Sequence, residues 1–485
     1  MTAITALSPR LLWQFFDDIC KIPRPSGHEA ALAQWISDWA QQRGFAVVQD
    51  KVGNLIINKP ATAGFEHSPG VILQAHMDMV PQANSDVEHD FTQDAIIPYI
   101  DNGWVRAKGT TLGADNGIGL ASCLAVLADD KLQHGPLEVL LTVDEESGMT
   151  GAAGLAPDQL QGKILINTDS EQDGDVYVGC AGGVDANITL PYKAQTLPAE
   201  QLAIKLTIKG LRGGHSGINI AEGRASANKL LAELLHDLND HPEIRLSELN
   251  GGTLRNAIAR EASALLVLPA SREPILQQLV DLRQQQYSQE FNGVDDYISL
   301  QLAPAELPAR VMTLQLQQRI SRALLACPHG VMSRNRDHES SILSSTNLGV
   351  IATHEQHIQV QCLIRSLSDQ DRDRVANRTA AVFELAGGKC EFAGQYPGWQ
   401  PDPHSMITHL LLTTHKELFG VEPNVKVIHA GLECGLFKAS YPHWDMVSFG
   451  PTIQGAHSPD ERVNIDSVDR YWQLLVRLLR QVAQD

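Results

Sequence analysis

Residues 117–148 read GIGLASCLAVLADDKLQHGPLEVLLTVDEESG, and the class of fold follows from them. GIGLASCLAVLAD (117–129) predicts a buried helix, because it is apolar on nearly every side. LEVLLTV (137–143) is an apolar run of strand length, as expected in a sheet covered on both faces. The same alternation continues outward. FAVVQ (45–49), NLIIN (54–58) and VILQAH (71–76) precede the stretch, and KILINTD (163–169) follows it, all as predicted strands. Upstream, Ser26 with Glu29 three residues on forms a capping-box pattern. It opens a helix in HEAALAQWISDWAQQRG that stops at Gly44. Strands alternating with helices predict an α/β domain around a mainly parallel sheet.

The character changes near Pro191. LAIKLTIKG (202–210), ALLVLP (264–269) and HIQVQCLIRS (357–366) are amphipathic strands. RASANKLLAELLHDL (224–238) and REPILQQLVDLRQQ (272–285) are exposed-looking helices between them. Near Gly398 the α/β character returns, and VDRYWQLLVRLLRQVAQ (468–484) closes the chain as a strongly amphipathic helix. At 485 residues the chain exceeds what one core usually holds. The expected organisation is a discontinuous domain over residues 1–190 and 400–485, interrupted by an inserted α+β domain over 191–399.

Composition narrows the function. Lys plus Arg is 38 against 57 for Asp plus Glu, a formal charge of −19. A surface that acidic argues against nucleic acid or an anionic membrane as partner. The 7 cysteines are widely spaced and contain no C-x-x-C, which fits reduced thiols rather than a disulfide framework. The N-terminal residues lack a charged stretch followed by an apolar run, and no apolar run reaches membrane-spanning length, so a cytoplasmic location is expected.

Five local clusters hold the chemistry, each at a strand end or in a Gly-rich turn. In QAHMDMV (74–80), His76 and Asp78 point to one side of a strand. They read either as a metal ligand with its orienting carboxylate or as a locally bonded pair. In GTTLGADNGIG (109–119), Asp115 precedes a helix and suits a bridging carboxylate or a plain helix cap. In LLTVDEESG (140–148), Glu145 and Glu146 read as a base beside a ligand or as a solvated acidic turn. Asp169 in ILINTDSE (164–171) and His457 in GPTIQGAHSPDE (450–461) each read as a ligand or as a loop residue. Together these imidazoles and carboxylates suit a carboxylate-bridged pair of zinc-like ions.

The order H-x-D, G-x-D-x-G, E-E, a lone Asp and a late His resembles the aminoacylase, carboxypeptidase and dipeptidase family of co-catalytic zinc peptidases. The strings TVDEESGMTGA, LRGGHSG and IQGAHSPDERV carry the resemblance further. It implies a di-metal catalytic domain with an inserted lid and dimerisation domain. It implies His76 and Asp169 at one metal, Glu146 and His457 at the other, and Asp115 bridging them, with a cis bond between Asp115 and Asn116. Glu145 would be the general base and Asp78 the orienter of His76. His215 would polarise the scissile carbonyl, Asn256 would be a second donor, and Arg365 would hold the substrate's terminal carboxylate. Turn and exposed-strand roles remain open for Asn256 and Arg365. Glu433 in GLECG departs from the family's G-T-D type loop and receives no role. The resemblance further implies two Zn2+ per subunit, with Co2+ or Mn2+ as substitutes, a homodimer formed through the lid domain, and hydrolysis of dipeptides including carnosine-like Xaa-His. An N-acyl-amino-acid deacylase using the same site, or a silent metal- or peptide-binding relative, are the competing readings.

Overall fold

The structure, a computed structural model, describes residues 2–197, 199–335 and 341–484. They form two compact units. The first takes the chain to Gly179, then Trp399–Val427 and everything from Leu432. The second is Cys180–Gly398 with the short return Ile428–Gly431.

The first unit is an α/β domain on an 8-stranded sheet. At its centre Leu137–Thr142, Val71–His76, Ile164–Asn167 and Asp445–Ser448 lie side by side in parallel. Every residue of the first three is buried, which is why they read as unbroken apolar runs. Ala46–Gln49 and Leu55–Lys59 extend the sheet antiparallel at one edge. The helix Ala114–Ala128 is buried from Ala114 to Leu127, and regular helical geometry begins after Asn116. The terminal helix Ile465–Gln484 packs Tyr471, Leu474, Leu475, Leu478 and Leu479 into the same core. Each such side chain contributes about 1.5–3 kcal/mol by leaving water. The predicted capping box does not form: the helix Ala30–Gln42 has no side-chain cap. The Ser26 hydroxyl donates instead to Asp78 Oδ2 at 2.7 Å, a buried carboxylate with more need of a donor.

The second unit is α+β, with strands antiparallel along a 9-stranded sheet. Its first strand, Gly182–Pro191, pairs with both His357–Ser366 and Lys389–Tyr396, which draws residues from Cys180 onward into this unit. Ala227–Asp237 and Asp369–Leu385 pack on the sheet. A separate two-stranded ribbon pairs Gly214–His215 with Ala257–Ile258. All 7 cysteines are free thiols. No helix of the described residues is long and apolar enough to cross a membrane.

Candidate metal centre

Three neighbouring parallel strands of the first unit end in His76, in Thr142 shortly before the Glu145–Glu146 pair, and in Asn167 before Asp169. Carboxyl ends of parallel strands are where α/β folds place their sites. His76 is fully buried, and its Nδ1 stands 3.2 Å from both the backbone oxygen and Oδ1 of Asp78. Those acceptors place a proton on Nδ1 and turn Nε2 the other way. There Nε2 lies 3.1 Å from Asp115 Oδ1 and 3.4 Å from Asp169 Oδ1. The other oxygen of Asp115 lies 3.3 Å from His457 Nε2, which also meets Glu146 Oε2 at 3.0 Å. Ligand atoms of His76, Glu145 and Asp169 fall within 4.8 Å of one another, as do those of His76, Asp115 and Glu146. One aspartate therefore faces two imidazoles, one through each oxygen.

Asp78 meets more than His76. Its carboxylate accepts the Ser26 hydroxyl and the backbone N–H groups of Glu145, at 3.0 Å, and Glu146, at 3.1 Å. It thereby fixes the backbone of both glutamates. Glu29 anchors the residue before them, accepting from Asp144 N at 3.0 Å. Asp169 is held by Asn116 Nδ2 at 2.5 Å, and the Asp115–Asn116 bond is cis. Gly119 leaves the space for this: a Cβ there would meet Asn116 Oδ1 at 2.2 Å and Thr168 Oγ1 at 2.3 Å. His457 sits in the left-handed region at φ 63°, a conformation histidine adopts more readily than most side chains.

Charge in this cluster is unbalanced. Burial raises the pKa of Glu145, with Asp169 and Glu146 adding to it against the pull of His76. Burial likewise raises Glu146 and Asp169. Asp115 and Glu146 push His457 up to about 11. Burial opposes a charged His76, yet Asp169, Asp115 and Asp78 outweigh it and hold its pKa well above the usual range. Glu146 Oε1 is buried with no partner among the described residues. Crowded carboxylates, two imidazole Nε2 atoms turned into them and an orphaned oxygen fit divalent cations, and the nitrogen share favours zinc-like ions over calcium.

The strings around these residues did not point to a buried network behind them. Glu433, fully buried, accepts Gln74 Nε2 at 2.6 Å and Thr142 Oγ1 at 2.9 Å on one oxygen. Gln74 Oε1 accepts from Asn167 Nδ2 at 2.5 Å, and Asn167 Oδ1 accepts from Asp169 N at 3.1 Å. A chain of amides thus runs from Glu433 to the backbone of Asp169. Polar residues inside apolar strands were its one signal in the sequence. Burial pushes Glu433 up to about 8.

In the second unit the structure brings together His215 and Arg365. His215 Nδ1 accepts from the N–H groups of Gly217 and Ile218 at 3.2 and 3.1 Å, so its proton belongs on Nε2. Nε2 lies 3.3 Å from Arg365 Nη2. Two donors thus face each other with no acceptor between them. Arg365 is 6% exposed, gives Nη1 to the Tyr396 hydroxyl at 2.9 Å, and has no partner for Nε among the described residues. A buried guanidinium with spare donors is a seat for an oxyanion. Asn256 is exposed; its backbone oxygen accepts from Ser216 N at 2.8 Å, and its side chain has no hydrogen bond among the described residues.

Burial, with Arg365 adding to it, lowers His215 to about 4, and His429 falls to about 3 for the same reasons. Burial near Lys229 lowers His329 to about 4. Histidines depressed from about 6.5 bind more protons unfolded than folded across the interval below it. The second unit is therefore expected to keep its stability above pH ~6.5 and lose it as pH falls toward ~4. Hydrogen-exchange protection of His357–Ser366 at pH 7 and pH 5 measures this, and His329→Gln should flatten the slope. An unchanged slope in that variant would contradict the assignment.

The chain as a whole has counterparts among known proteins. Residues 72–481 match Peptidase family M20/M25/M40, and the chain belongs to that family of hydrolases. It is 50% identical over 483 residues, 99% of each chain, to the cytosol non-specific dipeptidase of Escherichia coli (strain K12). The crystal structure of aminoacylhistidine dipeptidase from Vibrio alginolyticus superposes with a TM-score of 0.91 at 52% identity, covering 99% of this chain and 98% of that one. A tripeptidase from Staphylococcus aureus shares the fold at 16% identity, with a TM-score of 0.61 over 99% of this chain and 100% of that one.

Proposed function

We propose that the chain is a cytoplasmic metal-dependent dipeptidase acting on Xaa-His among other dipeptides, carnosine-like ones included, as a homodimer formed through the second unit. One observation carries the reading: Asp115 faces His76 through one oxygen and His457 through the other, with Glu145, Glu146 and Asp169 around them. End-to-end similarity to the two bacterial dipeptidases supports it.

His76, Asp115 and Asp169 would hold one cation, and Asp115, Glu146 and His457 the other, as two Zn2+ with Co2+ or Mn2+ able to substitute. Bound, such a pair polarises a carbonyl and lowers the pKa of water. Glu145 takes the proton from the attacking water and delivers it to the leaving amine nitrogen. Asp78 keeps the His76 ring in place and the Glu145 backbone fixed. Arg365 takes the terminal carboxylate of the substrate, and the Nε2–H of His215 donates to a substrate oxygen. Asn256 is assigned as a second donor.

Chelation followed by reconstitution with zinc, cobalt or manganese tests this. Hydrolysis of a dipeptide panel should vanish on chelation and return with metal, and N-acetyl amino acids should turn over far more slowly. Chelator-resistant hydrolysis would overturn the metal assignment. Equal turnover of N-acetyl amino acids would favour the deacylase reading.

A further inference from the structure

A second buried carboxylate of the first unit is occupied entirely by backbone. Glu461 is 2% exposed. Its Oε2 accepts from Leu112 N at 2.7 Å and Gly113 N at 2.9 Å, and its Oε1 from Ala114 N at 2.7 Å and Asp115 N at 3.2 Å. Four consecutive amides, ending at Asp115, thus converge on one side chain. The carbonyl side of the same segment meets a cation. Arg24, also 2% exposed, gives Nη2 to Gly113 O at 2.5 Å, and Nη1 to Met77 O at 2.9 Å and Asp78 O at 2.7 Å. Gly113, at φ +68°, permits the approach, since a Cβ there would meet Arg24 Nη2 at 2.6 Å.

Burying two opposite charges against backbone dipoles is a poor route to stability, because apolar residues of similar volume usually serve as well. What the arrangement does supply is geometry. Four fixed peptide groups set where the Asp115 side chain starts. Glu461 also closes the turn that carries His457, donating its N–H to Ser458 O at 3.0 Å. One residue therefore ties the Asp115 segment to the His457 turn, across 346 positions of sequence.

We propose that Glu461, with Arg24, is a positioning residue that holds the Asp115 segment in register with the His457 turn, so that the site is formed before a cation arrives. This rests on the reading of Asp115 as the shared ligand. In Glu461→Gln, an amide NH2 would confront two backbone donors. Affinity for zinc, read by competition with a chromogenic chelator, should fall about 10- to 100-fold. Glu138→Gln is the matched control. Glu138 is likewise a buried carboxylate, accepting from Gln161 N and Gly162 N, but at the start of its strand. That variant should melt earlier and bind zinc as wild type does. Arg24→Lys should repeat the Glu461→Gln pattern. In the unsubstituted chain, amides 112–115 should stay protected from hydrogen exchange after chelation, a readout that survives any folding failure of the variants.

Wild-type zinc affinity in Glu461→Gln, equal loss in Glu138→Gln, or rapid exchange of those amides in the chelated wild type would each overturn the proposal. Asp115→Asn separates it from the underlying reading. If that variant loses zinc and Glu461→Gln does not, the clamp is wrong; if it retains zinc, the assignment of Asp115 is wrong.

Discussion

Glu145→Gln is expected to lower kcat for a dipeptide by about 100- to 10,000-fold, the usual worth of a general base, while the protein keeps its cations. The Glu145 backbone is fixed by Asp78, and its carboxylate lies within reach of the His76 and Asp169 ligand atoms. Burial and the neighbouring carboxylates raise its pKa well above the ordinary value. Glutamine keeps the shape and cannot take the proton. Retention of the cations follows from assigning them to His76, Asp115, Glu146, Asp169 and His457. Elemental analysis beside the kinetics separates the outcomes. Near-normal turnover would remove Glu145 as the base, and loss of cations would make it a ligand.

Arg365→Ala carries the second large effect. Removing one partner of a buried, hydrogen-bonded charge pair costs about 2–5 kcal/mol, which is roughly 30- to several-thousand-fold in kcat/KM. That loss is expected for dipeptides with a free C-terminal carboxylate and should be much smaller for the same dipeptides amidated. The side chain is nearly fully buried and its Nε has no partner among the described residues, so an anionic substrate group would be its main charged partner. Equal losses on both substrates would remove Arg365 from carboxylate recognition. Arg365→Lys should restore little, since an ammonium lacks the planar fork.

Much of the fold was legible because it was local. LEVLLTV and VILQAH are strands buried on both faces, and their apolar runs announce that directly. Four of the five candidate ligands were legible for the same reason: His76, Glu146 and Asp169 stand at or just beyond the ends of such strands and Asp115 opens a helix, while His457 sits in a Gly-rich turn. What stayed hidden acts across long separations. Ser26 has the spacing of a helix cap, but its hydroxyl serves Asp78, 52 positions away. Glu461 stood in view within AHSPDERV, yet nothing local marks it as the acceptor for amides 112–115. Gln74 and Asn167 interrupt apolar strands, and only the packed sheet shows that they relay Glu433 to Asp169. Asp78 was legible as a partner of His76, while its grip on the Glu145 and Glu146 backbones required the strand ends to be placed side by side.

The central claim is that one aspartate is shared by two cations. The most direct measurement is metal stoichiometry of the zinc-reconstituted protein beside Asp115→Ala, in chains whose circular dichroism matches. The unsubstituted chain should hold two ions, and Asp115→Ala should lose its hold on both, because each site loses a ligand at once. A variant that still binds both ions with unchanged affinity would contradict it.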